Sequence, residues 1–185
     1  MLRIAAGRFK GLTLSAPAHL RATEGKVRQA LFNILGDAVQ DARVVDGFAG
    51  SGALGLEALS RGAAFVAFIE AETEAILSVR DNLAKVGPEL PRQAWRLLHV
   101  DVERGLRQLA KDGPSFDLIL LDPPYGSDEG KKALNTVVEC AILVPTGLVV
   151  IEHDRRTPLP PSVGPLTQHT QHRYGDTVLS FYRAG

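Results

Sequence analysis

The sequence predicts an α/β domain built on a Rossmann-like, doubly wound and mostly parallel sheet. Short apolar runs typical of buried strands alternate with helical patterns from residue 43 onward. Glycines follow several of the predicted helices, where they can end a helix. Because parallel neighbouring strands need a crossover connection, this alternation favours helices on both faces of the sheet. A proline-rich link then leads to two final strand-like runs, which predict an antiparallel edge.

The chain begins with a segment that is predicted to form a small β-ribbon over residues 1–20. Polar and apolar residues alternate here, and Gly7 and Gly11 are placed for tight turns. A helix is expected next over residues 24–37, with Thr23 as its N-terminal cap. The apolar face of this helix is predicted to contain Val27, Ala30, Leu31, Ile34 and Leu35.

The main domain is predicted over residues 21–185 as alternating helices and strands. The parallel strands are expected at residues 43–48, 64–70, 94–101, 116–122 and 147–153. The helices between them are expected near residues 53–61, 72–86, 102–112 and 130–143. The last two strands, near residues 165–172 and 177–183, are expected to pair with each other.

The composition of the 185 residues is typical of one soluble globular domain, with 45% hydrophobic and 23% charged residues. The chain is neutral overall, but residues 1–43 contain seven lysines and arginines against three acids. This imbalance indicates either a basic face or scattered surface charges. The single cysteine, Cys140, excludes an intramolecular disulfide and a cysteine-rich metal site, and no metal is expected. No signal-peptide pattern and no apolar run of transmembrane length is found, so a cytoplasmic protein without membrane contact is predicted.

A glycine-rich turn joins the first predicted strand of the sheet to the helix that follows. Gly50, Gly52 and Gly55 satisfy the pattern G-x-G-x-x-G, with a strand before it and a helix after it. Glu70 ends the next strand, where a carboxylate can bind both hydroxyls of a ribose. The pattern fits NAD, FAD or any other cofactor that contains adenosine, although Glu70 could also be a plain surface acid at a strand end.

Two further acids favour a cationic adenosine ligand over a dinucleotide. Asp46 precedes the glycines by four residues, and its charge would repel a pyrophosphate. Asp101 ends the third predicted strand, where it can accept a hydrogen bond from an adenine amino group. Since open α/β sheets bind ligands at the carboxyl ends of their strands, these acids face one crevice. S-adenosylmethionine, which carries a sulfonium and an ammonium group, is the predicted cofactor.

The fourth predicted strand runs into the string LILLDPPYGS at residues 118–127, which predicts a catalytic turn at the same crevice. Two prolines cannot continue a sheet ladder, so the strand must stop at Asp122. The Asp122 carboxylate and the Pro123 carbonyl can accept the hydrogens of an exocyclic amino group on a nucleobase. The nitrogen lone pair then becomes available to attack a methyl group, while Tyr125 offers a ring on which the base can stack.

The motifs resemble those of a known family. The stretch DGFAGSGALGLEALSRGA resembles motif I of class I methyltransferases, and DPPY resembles the motif of amino-group methyltransferases. The stretches RIAAGRFKGLTL and LRATEGKVRQALFNIL are similar to the N-terminal signatures of the RsmD family, bacterial 16S ribosomal RNA guanine-N2 methyltransferases. The chain departs from those signatures at Ala6, Ala22, Lys26 and Gln29.

This resemblance implies a role for each candidate site residue. The residues expected to bind S-adenosylmethionine are Thr23, Asp46, Phe48, Gly50, Gly52, Glu70 and Asp101. The residues expected to hold the target base are Asp122, Pro123 and Tyr125. The residues expected to contact RNA are Arg3, Arg8, Lys10, Arg21, Lys26 and Arg28, because basic side chains bind phosphates without specifying sequence.

The same resemblance implies that residues 1–20 form an RNA-binding ribbon and that residues 21–185 form the methyltransferase domain. The expected partner is 16S ribosomal RNA within the small ribosomal subunit or an assembly intermediate, and a monomer is expected. An N6-adenine methyltransferase acting on DNA or another RNA stays open, as does a non-catalytic RNA-binding protein that needs the cofactor. An NAD(P) oxidoreductase is disfavoured by Asp46 and by the DPPY turn.

Overall fold

The computed structural model describes residues 2–18, 25–91, 93–111, 113 and 115–184, and its centre is one eight-stranded sheet. The strands are β1 (Arg43–Gly47), β2 (Phe65–Glu70), β3 (Trp95–His99), β4 (Phe116–Leu121), β5 (Leu143–Asp154), β6 (Ser162–Val163), β7 (Leu166–Tyr174) and β8 (Thr177–Ala184). Their order across the sheet is β3-β2-β1-β4-β5-β8-β7-β6. Strands β1 to β5 pair with one another in parallel, whereas β8, β7 and β6 continue the sheet beyond β5 in antiparallel pairing.

Helices cover both faces of this sheet. They are α1 (Gly25–Leu35), α2 (Ala53–Ser60), α3 (Thr73–Val86), α4 (Val102–Lys111) and α5 (Glu129–Cys140), with short 3-10 helices at Gly36–Val39 and Gly87–Glu89. Helices α1, α2 and α3 share one hydrophobic cluster with the sheet, and α4 and α5 share the other. The doubly wound α/β fold with an antiparallel C-terminal edge is therefore confirmed. Within the parts of the chain that the structure describes, no helix has the length and apolar character needed to cross a membrane.

The connection between α5 and β5 is shorter than the sequence predicts. The helix ends at Cys140 rather than near residue 143, because Ala141 adopts a left-handed conformation with φ of 48°. Strand β5 then begins at Leu143, which already pairs with Phe116 of β4. A register shift between Phe116 and Leu118 joins this early pair to the regular ladder.

Helix α1 buries a different face from the one predicted. Val27, Leu31 and Leu35 are buried as expected, but Ile34 is 39% exposed. Arg28 and Phe32 are buried in its place, with the Arg28 Nε 3.8 Å from Glu57 of α2 and the Phe32 ring beneath the Arg61 guanidinium. The apolar pattern in the sequence did not predict this buried face, because the face includes the charged residue Arg28.

The N-terminal ribbon is a small hairpin that packs into the main core. Arg3 and Thr13 form a β-bridge, and the Ile4 amide donates to the Leu12 carbonyl at 3.0 Å. Three apolar side chains of the ribbon join the same hydrophobic cluster as α1, α2 and α3; they are Ile4, Phe9 and Leu14.

Two side chains at the C-terminal end of α2 hold the ribbon by its backbone. The fully buried carboxylate of Glu57 accepts the Ala5 amide at 2.7 Å and the Ala6 amide at 3.0 Å. The Ser60 hydroxyl accepts the Phe9 amide at 2.9 Å and donates to the Ala6 carbonyl at 2.6 Å. Because Arg61 donates to Glu57 at 2.8 Å, the buried charge is paired, which offsets part of its desolvation cost.

Replacing Gly7 by alanine is expected to destabilise the protein by at least about 2 kcal/mol more than the same change at Gly11. Both glycines have positive φ angles, 80° and 88°, so both variants meet a similar backbone cost of about 1 kcal/mol. Only at Gly7 would the new Cβ lie 1.9 Å from the Ser60 carbonyl oxygen, whereas nothing lies within 4 Å at Gly11. Urea titration of both variants measures the two free energies of unfolding. Equal losses would contradict this account of how the ribbon docks.

Candidate active site

A cavity of about 630 Å³ opens at the carboxyl ends of the parallel strands. Residues that follow β1, β2, β3 and β4 line it together with Glu152 of β5, and Ala16 of the N-terminal segment forms part of its wall. This volume lies within the range of pockets that bind small molecules and cofactors. The strand ends meet here because parallel strands all point to the same edge of the sheet.

The glycine turn between β1 and α2 forms one wall of the cavity. Phe48, Gly50 and Gly52 have positive φ angles of 62°, 56° and 78°, which turn the backbone sharply into the helix. A side chain on Gly55 would place Cβ 2.3 Å from the Phe68 ring, so only glycine lets α2 lie this close to β2. The turn, the close approach and the following helix are the features that G-x-G-x-x-G predicts.

Asp46 does not line the cavity, which corrects the prediction that it faces a cationic ligand directly. Its side chain is buried behind the turn, and its Oδ2 accepts the Gly55 amide at 2.8 Å. Burial raises the pKa of the Asp46 carboxyl well above its ordinary value, and the nearby Asp122 and Glu70 carboxylates act in the same direction. The structure therefore gives Asp46 the task of holding the first turn of α2.

Glu70 ends β2 beside the glycine turn and lines the cavity, as predicted. One carboxylate oxygen accepts the Gly50 amide at 2.7 Å, and the other accepts the Glu72 amide at 2.8 Å. These two bonds fix the direction in which the carboxylate points and connect β1 and β2 across the mouth of the cavity.

Asp101 also lines the cavity, and it caps α4 as well. Its Oδ1 accepts the Arg104 amide at 2.9 Å, in the first turn of the helix, and its Oδ2 lies 3.3 Å from the Arg104 Nε. A cap of this kind fixes an aspartate at the strand end by ordinary helix chemistry. One side of the carboxylate is thereby held at the rim of the cavity.

The DPPY turn leaves β4 at Leu121 and forms another part of the cavity wall. Asp122, Pro123 and Tyr125 all line the cavity, so the structure brings the three predicted base-holding residues together. The Asp122 amide donates to the Gly47 carbonyl at 3.3 Å, which ties the turn to the end of β1. The Tyr125 hydroxyl lies 2.8 Å from the Thr177 Oγ1 and donates to Glu152 at 3.1 Å.

Sequence reasoning missed Glu152, which lies near the end of β5 and lines the same cavity. The signal was present in the sequence, since Glu152 follows the apolar run Leu148–Ile151 as Asp122 follows its own strand. Functional roles were predicted for the acids at four strand ends, but not for Glu152 at the fifth.

Asn82 on α3 was also not predicted. It does not line the cavity, but it supports the turn that does. Its Nδ2 donates to the Ser15 carbonyl at 2.8 Å and to the Ser51 carbonyl at 3.0 Å, while its Oδ1 accepts the Ser15 amide at 2.8 Å. This fully buried side chain therefore joins the end of the ribbon to the glycine turn. The available signal was a polar residue on the apolar face of a predicted helix, next to Val79 and Leu83.

The cavity is strongly acidic. Among the described residues that line it, Lys132 is the one cation, and it faces seven carboxylates. These are Glu70, Glu72, Asp101, Glu103, Asp122, Glu129 and Glu152. A negative potential of this kind attracts a cationic ligand and repels a pyrophosphate.

The predicted RNA contacts divide into two groups. Arg3, Arg8, Lys10 and Lys26 are exposed, and Arg8 lies 3.3 Å from Glu89. Arg28 is buried at 3% exposure, donates to the Arg3 carbonyl and places its Nε 3.8 Å from Glu57. The prediction that Arg28 contacts RNA is therefore wrong, because its guanidinium is held inside the protein.

Two predicted site residues, Arg21 and Thr23, lie outside the described residues. Across the residues that the structure does describe, no cluster of three or more histidine, cysteine or acidic side chains is arranged to hold a metal ion.

Comparison with known proteins places the chain in a family. Residues 2–183 match the family model described as conserved hypothetical protein 95. The putative rRNA methyltransferase YlbH of Bacillus subtilis is 38% identical over 98% of both chains. The ribosomal RNA small subunit methyltransferase D of Escherichia coli K12 is 30% identical over 98% of this chain and 89% of its own.

Solved structures agree with the sequence relatives. A putative methyltransferase of Escherichia coli, yhhF, superposes with a TM-score of 0.84 at 30% identity, covering 98% of this chain and 97% of its own. A hypothetical protein of Thermus thermophilus gives a TM-score of 0.84 at 28% identity and covers 100% of both chains. The fold is that of class I methyltransferases, and the chain belongs to the conserved hypothetical protein 95 family, the RsmD family that its N-terminal motifs resemble.

Proposed function

We propose that this protein transfers a methyl group from S-adenosylmethionine to the exocyclic N2 of a guanine in 16S ribosomal RNA. One observation carries the proposal: the glycine turn with Glu70 and the DPPY turn line the same cavity. An adenosine site and a site for a planar amine are thus within reach of each other. The names of the relatives from Bacillus subtilis and Escherichia coli support ribosomal RNA as the substrate class.

The residues at the glycine turn fit S-adenosylmethionine. Glu70 is aimed at the cavity by its two backbone hydrogen bonds, and its carboxylate is suited to a pair of ribose hydroxyls. Asp101 at the rim is suited to an adenine amino group. Phe48 and Gly50 line the wall between Glu70 and Asp101, while Gly52 is buried behind it and turns the backbone into α2. The acidic lining suits the positive charges of the cofactor, which supplies an electrophilic methyl group when bound.

The residues of the DPPY turn position the target amine. Asp122 and the Pro123 carbonyl accept its two N–H groups, which frees the nitrogen lone pair from the ring. Tyr125 offers a ring face for stacking, and the hydrogen bonds of its hydroxyl to Glu152 and Thr177 restrict the rotation of that ring. The base must leave its stack to enter the cavity.

The N-terminal ribbon, residues 1–20, is the proposed RNA-binding part. The cavity itself is acidic and repels phosphates, so the RNA backbone has to be held elsewhere. Arg3, Arg8 and Lys10 are exposed on the ribbon, and Lys26 is exposed at the start of α1. The rest of the chain is the methyltransferase domain, which acts on the small ribosomal subunit or an assembly intermediate.

The proposal is tested by incubating the protein with labelled S-adenosylmethionine and small subunits that lack the modification. Digestion of the RNA should yield label in N2-methylguanosine. Asp122→Asn should lower kcat by roughly 100-fold or more, because its amide group donates where the target amine needs an acceptor. The variant should bind S-adenosylhomocysteine with unchanged affinity, since Asp122 is assigned to the base. Label in N6-methyladenosine would overturn the choice of guanine, and no label on any RNA would overturn methyl transfer to RNA.

Asn82→Ala is expected to raise the dissociation constant of S-adenosylhomocysteine roughly 10-fold, because the Ser51 carbonyl loses its hydrogen bond and the glycine turn loosens. Lys85→Ala is the matched control. The Lys85 Nζ donates to the Ser15 Oγ and to the Asn82 Oδ1 but makes no bond to Ser51, so its loss should change the constant by less than about twofold. Isothermal titration calorimetry measures both values. Equal effects of the two changes would show that Asn82 acts only through the ribbon.

A further inference from the structure

We infer that Glu152 is the residue that selects guanine over adenine at the target site. The inference rests on the proposed function and adds the specificity-determining residue to it. Three observations carry it: the position of Glu152 beside Asp122, its burial against Tyr125, and the difference between the two purines next to their amino groups.

Glu152 and Asp122 occupy equivalent positions on neighbouring parallel strands. Leu121 of β4 pairs with Ile151 of β5, so Asp122 and Glu152 are the next residues along the two strands. The preceding alternate residues, Leu120 and Val150, lie in the same hydrophobic cluster on one face of the sheet. Because side chains alternate between faces, both acids leave the strands on that face, and both line the cavity.

The carboxylate of Glu152 is buried and held against the ring proposed to stack the base. The residue is 7% exposed, and its Oε1 accepts the Tyr125 hydroxyl at 3.1 Å. That hydroxyl also lies 2.8 Å from Thr177, so the phenol is fixed from two sides. A carboxylate can accept about four hydrogen bonds. It can therefore serve Tyr125 and a base at the same time.

Guanine and adenine both carry an exocyclic amino group, but the ring nitrogen N1 beside that group differs between them. In guanine the N2 amino group lies next to N1–H, which donates a hydrogen bond. In adenine the N6 amino group lies next to an unprotonated N1, which only accepts one. With Asp122 and the Pro123 carbonyl on the amine, the adjacent Glu152 meets the ring N1 position. A carboxylate binds the guanine N1–H and repels the adenine N1 lone pair.

The variant Glu152→Gln separates recognition of the guanine N1–H from the hydrogen bond that Glu152 accepts from Tyr125. A glutamine can still accept from the Tyr125 hydroxyl, but its amide group can also donate to an unprotonated ring nitrogen. Methylation of guanine should fall roughly 10- to 100-fold in kcat/KM, which matches the loss of one hydrogen bond to a charged group. Thr177→Val is the control, because it removes the other hydrogen bond of Tyr125 and leaves the carboxylate in place. Any loss from a less restrained Tyr125 ring should slow methylation of guanine and of a purine without N1–H by the same factor, so the preference for N1–H should stay unchanged.

The decisive substrate is RNA in which 2-aminopurine replaces the target guanosine, once that position has been mapped. This base keeps the amino group at C2 but has no hydrogen on N1. The wild-type protein should methylate 2-aminopurine at least about 10-fold more slowly than guanosine. In Glu152→Gln the two rates should lie closer together. Binding of S-adenosylhomocysteine by both variants checks that the cofactor site is intact.

The outcomes distinguish the inference from the function on which it rests. If the wild type forms N2-methylguanosine and treats 2-aminopurine like guanosine, the role of Glu152 is overturned and the proposed function stands. If Glu152→Gln methylated guanosine as fast as the wild type does, the role of Glu152 would also be overturned. If the wild type forms no N2-methylguanosine, the proposed function fails and the inference fails with it. Should the variant not fold, equal wild-type rates on the two bases would still overturn the role of Glu152.

Discussion

The burial of helix α2 on every side is the constraint on which the rest of the structure depends. All eight residues from Ala53 to Ser60 are buried, so both ends of the helix are fixed. At its start, the lack of a side chain on Gly55 brings the helix against Phe68 and Asp46, and the glycine turn is held over the cavity. At its end, Glu57 and Ser60 hold the backbone of the ribbon. One short helix thus sets the position of the cofactor wall relative to the proposed RNA-binding part.

Asn82 connects the same two parts by a second route. It lies on α3 and bonds both to Ser15 at the end of the ribbon and to Ser51 in the glycine turn. Ala16 follows Ser15 immediately and forms part of the cavity wall. The glycine turn and the ribbon are therefore joined by this buried amide as well as by α2.

The sequence predicted those features that depend on local chemistry. The glycine spacing, the acid after β2 and the prolines after β4 each have a local cause, and the structure brings Gly50, Glu70 and Asp122 to one cavity as expected. The sequence could not predict which partners a side chain contacts when they are distant along the chain. Arg28 was taken for an RNA contact, because nothing near it in sequence reveals that Glu57 lies opposite. Asp46 was expected to face the ligand, and only the path of α2 turns it toward Gly55.

Acidic and basic side chains lie in different regions of the protein, and each region suits a different proposed task. The cavity is acidic and suits a cationic cofactor and a neutral base, while exposed basic residues on the ribbon suit phosphates. Asp122 and Glu152 fit this division, because uncharged hydrogen-bond donors on a base are what adjacent carboxylates recognise. The acidity of the cavity and the proposed amino-group target thus have one physical explanation.

If one cavity holds the cofactor with its reactive end toward the DPPY turn, a crystal structure with S-adenosylhomocysteine will show it. The ribose hydroxyls should bind Glu70, the adenine should lie near Asp101 and the sulfur should face Asp122. A ligand bound elsewhere, or bound in this cavity with its sulfur turned away from Asp122, would exclude the proposed arrangement.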